Sequence, residues 1–118
     1  MHVLLVEDEP FTREMLRQDL LDTGLDVLPV GTAEEGLDSV DREVAPAVVV
    51  TDVNLGAGMD GVALAEEARR RWPDVVVLVM TGDERNLHRL PDDLRENCFI
   101  KPFEPERLVA AVRRCVWR

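Results

Sequence analysis

Positive charge is scarce in this chain: 14 Lys and Arg face 24 Asp and Glu, a net charge of −10 over 118 residues. A basic footprint is therefore missing and phosphate backbones would be repelled, which argues against direct nucleic-acid binding. Long apolar runs are missing too. The longest candidates, residues 75–80 and 47–50, are strand-sized, far short of the roughly 20 residues that span a bilayer, and the opening residues do not read as a signal peptide. No membrane role is expected. Cysteine is rare: Cys98 and Cys115 make no disulfide framework and are too few for a metal cluster, so a reducing cytoplasm is the expected location. What remains, 46% hydrophobic and 32% charged, is the composition of an ordinary globular protein. Its length suits one domain over residues 1–118.

Short β-branched runs alternate with longer helical stretches. Residues 2–6 read as an apolar strand, followed by the acidic turn Glu7-Asp8-Glu9 and by Pro10, which suits the first turn of a helix. Phe11, Met15, Leu16 and Leu20 recur at helical spacing, and Gly24 can stop that helix. Residues 26–30 form a second strand, with Pro29 arguing for a sheet edge because proline cannot donate to the ladder. Thr32-Ala33-Glu34-Glu35 has capping-box form and opens a helix to about residue 44, before Pro46. Residues 47–51 are nearly all apolar, as in a sheet covered on both faces. Beyond Asp52 a loop carries Gly56, Gly58 and Gly61; a helix then runs from 61 to 72 and stops at Pro73. Residues 75–80 are another buried strand, ending at Thr81-Gly82. The polar stretch 83–97, interrupted by Pro91, predicts one short or broken helix. A brief strand over 98–100 leads to Lys101-Pro102. Glu104 and Pro105 then open a last helix with Leu108, Val109, Val112 and Val116 on its apolar face.

Five βα units imply a parallel sheet with helices on both faces, because parallel strands need crossover connections of one hand. The expected architecture is a small α/β doubly wound, flavodoxin-like sandwich with strand order 2-1-3-4-5. In such sheets ligands sit outside the carboxyl ends of the strands. Those ends carry Glu7 and Asp8, Asp52, Thr81 and Lys101, the only lysine of the chain. With strands one and three adjacent, three carboxylates should converge and repel unless a cation joins them. Mg2+ fits, since it accepts one or two carboxylates, several waters and a phosphate oxygen. A flexible ammonium, a hydroxyl and turn amides complete a site for an anionic, oxygen-rich group, and phosphoryl transfer asks the protein mainly for such positioning and charge.

Four segments, VLLVEDEP (3–10), VTDVNLGAGMDG (50–61), VMTG (79–82) and IKPF (100–103), resemble the receiver domain of two-component response regulators. The resemblance covers essentially the whole chain with the motifs in order. The 2-1-3-4-5 strand order is itself a known order of chemotaxis receivers and belongs with that resemblance. It implies a phosphoacceptor role for Asp52, and Mg2+ held by Glu7, Asp8, Asp52 and the Asn54 backbone carbonyl. Thr81 and Lys101 would contact phosphoryl oxygens, and the Lys101-Pro102 bond would be cis. The Asn54 side chain occupies a position that tunes phosphoryl lifetime in the family. The implied donor is a sensor histidine kinase or histidine phosphotransfer protein, and the implied output is a downstream protein target or output domain. The domain would be a signalling module that catalyses only its own phosphorylation and dephosphorylation. Because the sequence stops at Arg118, the output is expected through another protein or onward relay.

The chain departs from the family pattern in three places. Leu55-Gly56-Ala57-Gly58 makes the loop after Asp52 one residue longer and lacks the usual proline. Cys98 stands where Tyr or Phe is common, while the neighbouring Phe99 should face the opposite side of the sheet. The stretch from Thr81 to Lys101 is slightly short. These departures leave room for a non-phosphorylated module of the same fold. A phosphatase with an aspartyl nucleophile is disfavoured by Asn54, where a second Asp would be needed. Bland readings also exist: Glu7-Asp8 as helix cap, Thr81 as cap, Lys101 and the Arg69-Arg70-Arg71 cluster as solvated charge, Cys98 as a small buried hydrophobe, and His88 as an exposed residue.

Overall fold

Five parallel strands make up one sheet in the computed structural model, which describes residues 1–40 and 44–117. They are β1 (Val3–Val6), β2 (Val27–Val30), β3 (Val48–Asp52), β4 (Val76–Thr81) and β5 (Cys98–Ile100), in the order β2-β1-β3-β4-β5. The crossovers are α1 (Pro10–Leu21), α2 (Ala33–Ser39), α3 (Gly61–Arg71) and a 3-10 helix (Glu84–Arg89) with α4 (Asp92–Glu96); α5 (Pro105–Val116) follows the last strand. Pro29 does lie on an edge strand, where its missing donor leaves no gap in the ladder.

Side-chain alternation along the strands splits the interior into two cores. Leu4, Val6, Val49, Val77 and Val79 pack with Leu37, Leu64, Ala68 and Leu94, so α2, α3 and α4 cover one face. Val3, Leu5, Val48, Val50, Leu78 and Met80 pack with Leu16, Leu20, Leu108 and Val112, so α1 and α5 cover the other. Every residue of β1 and β3 is buried, which is why these strands read as unbroken apolar runs.

One helical expectation changes. The second helix was expected to reach about residue 44, but α2 ends at Ser39. Val40 leaves it in an extended conformation with its side chain buried in the first core, so burial of this β-branched residue takes the place of another helical turn. Residues 41–43, through which that helix was expected to run, lie outside the described residues. The stretch after β4 is broken as anticipated, into the 3-10 helix and α4. The residue before a proline is pushed out of helical geometry, and Leu90 before Pro91 is extended accordingly (φ −93°, ψ 138°).

The register sets the site. Val6 pairs with Thr51, so Glu7 and Asp52 leave the sheet side by side. Gly61, at the start of α3, comes so close that a Cβ there would lie 2.0 Å from the Asp52 carbonyl oxygen and 2.9 Å from the Val53 Cα, while its amide donates to the Val53 carbonyl (2.8 Å). Only glycine admits that approach. Gly61→Ala is expected to lose about 2–4 kcal/mol of stability by overpacking against rigid backbone, read as a lower urea midpoint at unchanged slope.

Candidate functional site

Glu7, Asp8 and Asp52 each offer a carboxylate oxygen, and these atoms lie within 4.8 Å of one another. Glu7 is buried, Asp52 is 6% exposed, and Asp8 is open to solvent. Lys101 reaches in from the end of β5: its Nζ donates to Glu7 Oε1 (2.6 Å) and lies 2.9 and 3.0 Å from the two oxygens of Asp52. It is therefore no solvated surface charge but the cation that lets two buried acids share one rim. The second Glu7 oxygen accepts from the Glu9 amide (3.2 Å), and Arg13 donates to the Glu7 carbonyl (2.9 Å), so this residue is held from both sides. The Lys101-Pro102 bond is cis.

One ammonium does not balance three carboxylates. Burial and the neighbouring Glu7 carboxylate push the Asp52 carboxyl up to about 8, against the opposing pull of Lys101. At Glu7 burial also works upward, but bonds from Asp52, Lys101 and the Glu9 amide outweigh it and hold this group low. Asp8 is raised by partial burial and by Glu7. Of the pair Glu7–Asp52, Asp52 is thus the member whose ionised form is disfavoured, because it shares its burial with a second carboxylate. All-oxygen donors with an excess of negative charge are what a hard divalent cation selects, so the residues present fit Mg2+.

The surrounding loops explain other motifs. Gly56 and Gly58 adopt φ of +69° and +92°, which lets the loop after β3 fold back at Asp8 and under α2. There Glu34 accepts from the Met59 amide (2.9 Å), strapping the longer loop down. The cap of α1 is not Glu7-Asp8 but Glu9, whose carboxylate accepts from the Phe11 and Thr12 amides (3.1 and 2.6 Å), leaving the acidic pair free for the rim. Likewise Asp83, not Thr81, caps the 3-10 helix.

Thr81 is buried, and its hydroxyl accepts from the Asp83 amide (3.1 Å) and from Asn86 Nδ2 (2.9 Å) while donating to the Asp83 carbonyl (3.1 Å). Asn54 is exposed, its side-chain oxygen accepting from Arg89 (3.4 Å). Asn86 and Arg89 were not anticipated. Their partners lie on other elements, and an Asn and an Arg in a polar stretch give no local signal. Cys98 faces the core under α3 and α4, while Phe99 faces the opposite core and packs on Phe103, as alternation requires. Burial raises the Cys98 thiol, which makes it a hydrophobe rather than a reactive thiolate. The arginine cluster is less solvated than expected: Arg71 pairs with Glu67 and donates to the Leu37 carbonyl of α2, and Arg69 pairs with Asp93 of α4. His88 is exposed.

A doubly wound sheet with paired acids, an acidic strand end, a threonine and a lysine at one rim defines a class of phosphoryl-handling signalling domains. The family model described as "Response regulator receiver domain" matches residues 3–113. Over 115 residues the chain is 38% identical to the response regulator protein FleR of Pseudomonas aeruginosa, covering 95% of this chain and 24% of FleR. It is 32% identical to the transcriptional regulatory protein AruR of the same organism, covering 98% of this chain and 49% of AruR. The chain thus spans a quarter to a half of these relatives. Among solved structures, the receiver domain of NtrX from Brucella abortus superposes with a TM-score of 0.81 at 27% identity over 97% of each chain. The regulator TrrA from Thermotoga maritima, solved with Mg(2+)-BeF, has the same fold: TM-score 0.83, 24% identity, 98% of this chain and 99% of TrrA. This chain belongs to the receiver-domain family of two-component response regulators.

The raised Asp52 carboxyl has a consequence for stability. An unfolded Asp ionises near the ordinary value of 3.8, whereas burial and the Glu7 carboxylate push the folded group up to about 8. The stabilising contribution is complete below the lower value and is lost as pH rises through the upper one. Asp52→Asn, neutral throughout, is therefore expected to raise the melting temperature of the metal-free chain at pH 8.5 by at least about 5 °C, with the gain shrinking toward pH 4 in thermal melts.

Proposed function

We propose that this domain takes a phosphoryl group from the phosphohistidine of a sensor histidine kinase or histidine phosphotransfer protein onto Asp52. An oxygen of the ionised Asp52 carboxylate, the form that a bound cation would favour, attacks phosphorus; the P–O bond forms as the P–N bond to imidazole breaks, and the imidazole nitrogen keeps the electron pair. The observation that supports this best is the convergence of the three carboxylates with Lys101 bridging Glu7 and Asp52. Glu7, Asp8, Asp52 and the Asn54 backbone carbonyl would hold Mg2+, which when bound supplies positive charge for the carboxylates and for the phosphoryl oxygens. Lys101 is poised to exchange its Asp52 contact for a phosphoryl oxygen. The new group adds roughly −1.5 to −2 charges, by analogy with other phosphorylated side chains, and the Thr81 hydroxyl would turn toward it, biasing two arrangements of the neighbouring surface. Phe11 and Met15, exposed on α1 just past the acidic pair, give a phosphodonor protein apolar surface to rest on.

We treat residues 1–118 as one receiver domain working in the cytoplasm, as a signalling module whose only chemistry is its own phosphorylation and dephosphorylation. Its output is a downstream protein or an output domain. Direct nucleic-acid contact by this acidic domain is not part of the proposal, nor is a membrane role; among the described residues no helix is long and apolar enough to cross one.

With acetyl phosphate and Mg2+, intact-mass analysis is expected to show a single phosphoryl adduct, absent in Asp52→Asn and after chelation by EDTA. An unmodified wild-type chain, or an adduct that survives Asp52→Asn, overturns the assignment. Lys101→Ala is expected to slow adduct formation about 10-fold or more, in line with the loss of one charge-bearing contact in the transition state, as time courses of the same mass readout will show.

A further inference from the structure

The Thr81 hydroxyl has no capacity to spare. It has one proton, given to the Asp83 carbonyl, and accepts from the Asp83 amide and from Asn86. To donate to a phosphoryl group it must release Asp83, so whatever holds the Asp83–Asn86 turn in place opposes the switch. Asn86 is itself held: its side-chain oxygen accepts from Arg89 Nη1 (3.3 Å). The same nitrogen donates to Asn54 in the loop after Asp52 (3.4 Å), and Nη2 pairs with Asp60. Asp60 is a fixed anchor, because its other oxygen caps α3 by accepting from the Ala63 amide (2.9 Å). One guanidinium therefore joins the 3-10 helix after β4 to the loop and helix that follow the acceptor strand. Its planar fork serves two partners on one nitrogen and a third on the other, which a lysine does not reproduce. The bond to Asn54 also fixes the orientation of that carboxamide, since a guanidinium bonds only its oxygen.

We propose that Arg89 is a positioning residue that locks the Thr81 turn to the acceptor loop through Asn86, Asn54 and Asp60, and so holds the domain in its unphosphorylated arrangement. This rests on Asp52 being the phosphoryl acceptor. Phosphorylation must then loosen the Arg89 contacts for Thr81 to turn, and the affinity for a phosphoryl group is reduced by the fraction of molecules that remain locked.

The test is binding of beryllofluoride, a phosphoryl mimic, in Mg2+ by isothermal titration calorimetry on the full chain. Arg89→Ala is expected to bind about two- to fivefold more tightly than wild type, the range set by the modest strength of exposed ion pairs. General damage to the fold weakens binding, so a gain marks the lock. Arg89→Lys, which keeps the charge and loses the fork, is expected to match Arg89→Ala. In an Asn86→Ala background, where only the Asn54 and Asp60 contacts of Arg89 remain, Arg89→Ala is expected to add less than it does alone. Unchanged or weaker binding by Arg89→Ala, wild-type behaviour of Arg89→Lys, or a full effect in the Asn86→Ala background each overturns the proposal. Failure of the wild-type chain to bind the mimic, or binding that survives Asp52→Asn, overturns the acceptor assignment instead, so the two failures are distinguishable.

Discussion

Holding three carboxylates at one rim of a sheet, two of them out of water, is the constraint around which this domain is organised. Like charges that close repel strongly, and burial removes the solvent that would screen them. Lys101 is the intrinsic answer, arriving from 94 residues beyond Glu7 and 49 beyond Asp52 to bridge the two. Its single charge leaves an excess of negative charge that raises the Asp52 carboxyl, and that same excess makes the rim attractive to a divalent cation. Electrostatic frustration here is the binding specificity: a site fully neutralised by the protein would have nothing left to offer a metal or a phosphoryl group.

The sheet makes this arrangement possible by register rather than by local preference. β1 and β3 are neighbours although an entire β-strand and two helices separate them in sequence, and their pairing of Val6 with Thr51 ends both strands at one height. Gly61 then brings the start of α3 against the Asp52 carbonyl, which fixes the backbone that carries this carboxylate. The loop between them is longer than usual, and the chain accommodates it with two left-handed glycines and the Glu34 strap. The polar rim is thus supported by backbone whose own bonds are satisfied elsewhere.

Cys98 puts a small side chain on β5 against the α3/α4 core, and the segment after β4 is held by the polar chain Thr81–Asn86–Arg89. Polar links of this kind have directional geometry and few alternatives, which suits an element that must choose between two positions.

Much of the fold was legible from residues alone because the signals are local: buried parallel strands are unbroken β-branched runs, prolines and capping residues mark helix starts, and Pro29 marks an edge. The placement of Glu7-Asp8, Asp52, Thr81 and Lys101 at one rim was legible as well, since residues at or just past the carboxyl end of a strand have their positions assigned by the strand. Three things belong to the tertiary structure. The end of α2 at Ser39 depends on Val40 finding a core to enter. The raised Asp52 carboxyl depends on how deeply it and Glu7 are buried together. The Arg89 lock depends on partners at positions 54, 60 and 86, brought within bonding distance only by the sheet. Periodicity and capping act over a few residues and leave a trace in sequence; desolvation and cross-element hydrogen bonds act through space and leave none.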